Sequence, residues 1–182
     1  MDTLVIDIET KQTFADVGGT ANIDKLEISV VGVYSYDQDR YYCYEESEFG
    51  DLASLLSQRA LLVGFRCNKF DFPILNTQLD LQLFKFPRVD LSDEIEQRLG
   101  RLVSLDSLAR ENLGICKTGK SIMAPSLYWD GEIDKLKEYC LQDVRITKDL
   151  YDLARSGAVV RVPQKHTAVV HSVNIEISTW YF

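Results

Sequence analysis

The chain has 182 residues, 46% of them apolar, which suffices for one sizeable core but not for two large independent ones. A single domain over residues 1–182 is therefore expected, with a core at about 3–157 and a C-terminal hairpin at about 159–182. No apolar run approaches the roughly 20 residues of a membrane span, and Met1–Asp7 lacks the basic segment of a secretory signal, so a cytoplasmic protein without a membrane partner is expected. The formal charge of −8 argues against a broad surface that binds polyanions through many Lys and Arg contacts.

Residues 3–9 read as a buried strand ending in polar residues, and 28–36 as a second. Asp37-Gln38-Asp39 makes a turn into a third strand, Arg40–Tyr44, which pairs back as a hairpin. Glu48–Arg59 has helical spacing with acids in its first turn, and Leu61–Phe65 is a fourth strand. Phe70–Leu79 reads as a short helix that tolerates Pro73 in its first turn. Pro87–Asp90 is a break, Ser92-Asp93-Glu94 caps a helix reaching Leu99, and Gly100 stops it.

A fifth strand is expected at 101–106, feeding a helix from Ser107 to Leu113, and residues 114–131 are expected to be a mobile loop. Ile133, Leu136, Tyr139, Cys140, Val144, Ile146, Leu150 and Leu153 mark a long helix from Glu132 to Ala154, stopped near Gly157. The tail alternates like a hairpin around Gln164-Lys165-His166. This order describes an α/β domain with a mixed five-stranded sheet flanked by helices.

Cys43, Cys67, Cys116 and Cys140 are widely spaced and share the chain with only two histidines, so they read as small buried hydrophobes in place of a zinc site or disulfide framework.

Three segments carry chemistry. Asp7-Ile8-Glu9-Thr10 ends an apolar strand, and alternation puts Asp7 and Glu9 on one face. Like charges this close are stable with a cation between them, and oxygen ligands suit Mg²⁺ or Mn²⁺. Asp71 follows Gly64–Phe70 at a strand-to-helix junction, where a carboxylate can face the strand end that bears Asp7. Tyr139 and Asp143 lie four apart on the long helix, one turn from each other on one face. Taken singly these are ordinary: a solvent-facing strand end, a helix cap, a core tyrosine and a solvated aspartate.

Their order, elements and spacing together resemble the DEDD exonuclease superfamily, over Leu4 to about Leu153. That family has a ribonuclease-H-like fold with Asp-x-Glu on its first strand, an Asp after a Phe in its second motif, and a final Asp on a late helix. Tyr139, with Glu138 where the histidine branch needs His, matches the tyrosine subclass, DEDDy. The resemblance implies a 3′-to-5′ exonuclease that uses two Mg²⁺ or Mn²⁺ ions to hydrolyse phosphodiesters at the 3′ end of DNA or RNA, expected to be single-stranded, and releases nucleoside monophosphates.

It also implies that Asp7 bridges both ions, Glu9 and Asp143 hold the ion that activates water, Asp71 reaches the second through water, and Tyr139 positions the nucleophile. Thr10 and Phe70 stand where relatives contact the terminal nucleotide. Arg66 replaces a frequent Asn and is expected either to grip a phosphate or to alter the terminal-base pocket. Asp106 is a supporting group or a helix cap, and Lys69, Lys117, Lys120 and Arg145 are phosphate contacts or solvated charges. Metal ions bound by four acids would locally offset the acidic balance, and an enzyme holding only a strand end needs few contacts. Two other readings stand beside the exonuclease: a non-catalytic nucleic-acid-binding or scaffolding domain, and a metal-dependent endonuclease.

Overall fold

The structure is a computed structural model that describes residues 1–58, 60–115, 123–165 and 167–175. Its centre is a five-stranded mixed sheet. The strands are β1 (Asp2–Thr10), β2 (Ile28–Ser35), β3 (Arg40–Glu45), β4 (Ala60–Gly64) and β5 (Arg88–Asp90), in the spatial order β3-β2-β1-β4-β5. β1 pairs antiparallel with β2 and parallel with β4, which is itself parallel to β5.

Helices α1 (Phe49–Leu56) and α2 (Asp71–Leu79) cover one face, and α4 (Leu105–Leu113) and α6 (Ile133–Arg155) the other; α3 (Leu91–Leu99) follows β5. A separate hairpin, β6 (Val160–Pro163) with β7 (Val170–Val173), packs on α4 and α6. The expected tail hairpin is thus present as far as it is described, whereas His166 and residues 176–182 lie outside the described residues.

The alternation of each strand distributes its side chains between two cores. From β1, Leu4, Ile6 and Ile8 join Ala60 and Leu62 of β4 against α1 and α2, while Val5 joins Leu61 and Val63 on the α6 side. Every residue of β2 is buried because both of its faces are covered. Asp7 and Glu9 continue the Val5 side of β1, so the strand's polar end faces α6 and not solvent.

Several boundaries differ from the sequence reading. The fifth strand is Arg88–Asp90 and not 101–106. Three residues are too few to show a period, and Pro87 is tolerated at this edge because it contributes its carbonyl, which accepts from the Leu62 N–H at 2.9 Å. Residues 101–104 run instead into α4, whose N-cap is Ser104, with its hydroxyl oxygen accepting from Ser107 N–H. Asp106 is a first-turn residue paired with Arg110 at 2.8 Å and not the cap.

For α3 the cap is Asp90, two residues before the expected Ser92. Within the expected loop at 114–131, Ala124–Trp129 forms a short helix, α5, with Pro125 in its first turn. Residues 116–122, including Cys116, Lys117 and Lys120, lie outside the described residues, as does Arg59 at the expected end of α1.

Gly32 of β2 controls how closely α6 approaches the sheet. A Cβ there would come within 2.8 Å of Val144 Cγ2 and 2.9 Å of Cys140 Sγ, both on α6. Gly32 is also the cross-strand partner of Asp7. Gly32→Ala is expected to destabilise the protein by about 1–3 kcal/mol through overpacking. Urea unfolding would measure this, and trimming Val144 to Ala in the same chain should recover part of the loss; an unchanged midpoint for the single variant would refute the account.

Candidate metal centre

The late helix and the first strand meet at three carboxylates. Asp7 and Glu9 leave β1 on the side facing α6, and Asp143 comes down from α6 to meet them. One oxygen from each of the three lies within 4.8 Å of the other two. Glu9 and Asp143 are 9% and 6% exposed, so much of this negative charge is held away from bulk water. Ligand atoms that are all carboxylate oxygen, this close and partly desolvated, fit a hard divalent cation.

The rest of the helix face sets the position of Asp143. Cys140, one turn earlier, places its thiol 3.5 Å from the Asp7 carbonyl oxygen and 3.7 Å from Asp7 Oδ2. Cys43, which sits beside Gly32 on β3, and burial together push the Cys140 thiol's pKa well above its usual value. Tyr139 is buried with Val30, Ala124, Leu136 and Cys140. Its four-residue separation from Asp143 keeps both on the sheet side of the helix.

Asp71 is at the same strand end but outside the three-carboxylate group. β4 pairs with β1 only as far as Val5, so the Ile8 N–H on that edge has no strand partner. Asp71 Oδ1, from the first residue of α2, accepts it at 3.1 Å. Burial is the main influence on this carboxyl and, with the neighbouring charges of Asp90 and Asp143, pushes its pKa up to about 7 against the opposing effect of backbone N–H donors.

Asp90 holds the loop that delivers Asp71. Its Oδ1 accepts from Arg66 N–H at 2.8 Å and from Ser92 N–H at 3.0 Å, and its Oδ2 accepts from Asn68 N–H at 2.9 Å. One buried side chain thus caps α3 and ties down the 66–68 turn, where Arg66 has a left-handed φ of 63°. The Arg66 side chain points outward and makes no ion pair with a described residue.

Phe70 meets Phe14 edge-on at 5.6 Å. Thr10 is buried and its hydroxyl donates to the Gln12 carbonyl at 2.8 Å. Lys69 is bound to Asp93 and Glu96, and Arg145 stacks over Tyr41, so neither is directed at the carboxylates. Gly32 and Asp90 went unrecognised in the sequence reading. A glycine inside an apolar strand, and an Asp directly before a helix-forming run, were the available signals.

Residues 4–155 match the model of the RNase_H_2 family, RNase_H superfamily. The chain belongs to the ribonuclease H superfamily. Curated protein sequences give no match. Among solved structures, this superfamily member is similar to the family B DNA polymerase from the hyperthermophilic archaeon Pyrobaculum calidifontis. The TM-score is 0.62 at 18% identity, over 84% of this chain and 24% of the polymerase chain, so the likeness is one of fold with about a quarter of a much longer protein.

Superfamily membership and the acidic cluster together support a nuclease-type activity that uses divalent metal on a nucleic-acid substrate. No helix among the described residues is long and apolar enough to cross a membrane.

The raised pKa of Asp71 has a measurable consequence for the metal-free protein. Between about pH 4 and about 7 its carboxyl keeps a proton in the folded state that the unfolded chain has released, so folding stability falls as pH rises across that window. This one group contributes up to about 4 kcal/mol. Urea unfolding in chelator should show the parent losing stability toward neutral pH relative to Asp71→Asn, which keeps an acceptor for Ile8 N–H. A parent-minus-variant difference that is flat with pH would contradict the assignment.

Proposed function

We propose that this chain is a two-metal-dependent 3′-to-5′ exonuclease of the tyrosine subclass of the DEDD superfamily. Residues 1–182 would form one catalytic domain that removes nucleoside monophosphates from a nucleic-acid 3′ end. The observation that carries this reading is the convergence of Asp7, Glu9 and Asp143 within 4.8 Å, with Tyr139 one turn before Asp143. The polymerase of similar fold acts on DNA, which makes single-stranded DNA the first substrate to test and RNA the second. The free thiols of Cys43, Cys67 and Cys140 suit a reducing, cytoplasmic setting.

In this reading Asp7, Glu9 and Asp143 hold Mg²⁺ or Mn²⁺, and Asp71 completes the set from the neighbouring helix start. The ions, when bound, make water easier to deprotonate and neutralise charge that builds on the phosphate. The residues themselves arrange the in-line geometry. The Tyr139 hydroxyl orients the attacking water, whose oxygen bonds to the terminal phosphorus as the bond to the leaving 3′ oxygen breaks and that oxygen takes up a proton. Thr10 and Phe70 position the terminal nucleotide, and Arg66 offers an exposed cation to a phosphate nearby.

A 5′-labelled strand incubated with Mg²⁺ or Mn²⁺ should shorten one nucleotide at a time. Asp7→Ala should bring cleavage to background while leaving the metal-free protein at least as stable as the parent, because it relieves carboxylate repulsion. Tyr139→Phe should lower kcat by about 10²-fold with little change in metal affinity. A single internal cut would point to an endonuclease. A folded parent with no metal-dependent cleavage would point to a binding domain.

A further inference from the structure

Two aromatic side chains stand exposed beside the carboxylate cluster without serving any of the cores. Trp129, at the end of α5, is 69% exposed and Phe14 is 37% exposed; neither belongs to the three buried clusters. The indole is nonetheless fixed. Its Nε1–H donates to the Lys11 carbonyl at 2.7 Å, and its ring lies edge-on to Tyr128 at 5.2 Å. A largely exposed ring held by its polar edge is preorganised for a flat partner.

Both rings are tied to the segment that leaves β1. Lys11 is two residues past Glu9, and Phe14 three residues further on. Phe14 rests against Phe70, the residue immediately before Asp71. The segment 10–14 therefore has one aromatic ring at its start and another at its end, directly beyond the strand that supplies two of the three clustered acids.

Among the described residues, the lysines near the site are already engaged, which leaves Arg66 as an exposed cation. Lys11 Nζ pairs with Glu27 at 3.2 Å and Glu46 at 2.9 Å, and Lys69 pairs with Asp93 and Glu96. Lys137 pairs with Glu45. With a net charge of −8 as well, little positive charge is left to track a phosphate backbone.

We infer that Trp129 and Phe14 are positioning residues that stack on unpaired bases, so that the site takes a single-stranded or frayed end by its bases more than by its phosphates. A paired duplex hides its base faces and is excluded on the same ground. The inference rests on the exonuclease reading for its purpose, but binding can be measured without turnover.

Fluorescence anisotropy of a short 5′-fluorescein oligothymidylate, with Ca²⁺ in place of Mg²⁺, tests it directly. Trp129→Ala and Phe14→Ala should each weaken binding about tenfold, and Trp129→Phe should keep most of the affinity. The slope of log Kd against log salt should stay below about 2. Unchanged affinity in both alanine variants, or a steeper slope, would overturn the inference.

Hydrolysis of bis(4-nitrophenyl) phosphate, a diester without a base, separates the two readings. It should persist in Trp129→Ala and vanish in Asp7→Ala. If the parent shows no Asp7-dependent turnover of either substrate, the exonuclease reading fails, while the anisotropy result still decides the stacking one.

Discussion

Helix α6 lies close against β1 and β2 because position 32 has no side chain. Val144 and Cys140 occupy the volume that any Cβ at Gly32 would need, and the strand residue facing Gly32 is Asp7. The same close approach that buries the helix therefore delivers Asp143 to Asp7 and Glu9. Three carboxylates within 4.8 Å repel one another, and they stay together because the elements bearing them are held by cores on both sheet faces. A site of this kind places electrostatic strain where packing is strongest, as preorganised binding of a cation requires.

The position of the site follows equally from the topology. β1 is the central strand and outlasts β4, its parallel neighbour, which turns away after Gly64. Beyond Val5 that edge of β1 is open, and a carboxylate can reach it. Asp71 takes the Ile8 N–H there, while Asp90, at the end of β5, holds the intervening turn through backbone N–H groups. Acidic side chains thus act in two ways, with Asp90 and Asp71 shaping the backbone around a cluster formed by the others. The carboxyl ends of the parallel strands are also where open α/β sheets commonly place ligands.

The acidic balance of the chain has a structural counterpart in how its cations are distributed. Lys11, Lys69 and Lys137 are held in ion pairs around the site and do not form a basic stripe. Those of Lys69 and Lys137, on more exposed side chains, contribute little stability, but all of them remove local positive charge from the field that an approaching polyanion meets. In the function proposed above, recognition is then left to bound cations, to Arg66 and to the exposed aromatic rings.

Local pattern was enough to read the long elements. The period of Leu136, Tyr139, Cys140, Val144 and Leu150 identifies a helix, and alternation in β1 places Asp7 and Glu9 on one side, because each depends only on neighbours along the chain. The three-residue β5 and the six-residue α5 carry too little pattern to be recognised. Residues 101–104 look extended by composition, yet Ser104 and Ser107 convert the following stretch to helix.

By itself, the sequence determined the residue types, the elements that bear Asp7, Glu9, Tyr139 and Asp143, and the alternation that pairs the first two. Only the tertiary structure decided that Asp143 reaches them while Asp71 stays with the Ile8 N–H, and that Gly32 and Asp90 make this arrangement possible. Those outcomes depend on interatomic distances between segments more than 130 residues apart. Contacts of that range are set by packing volume and strand length, which no local spacing encodes.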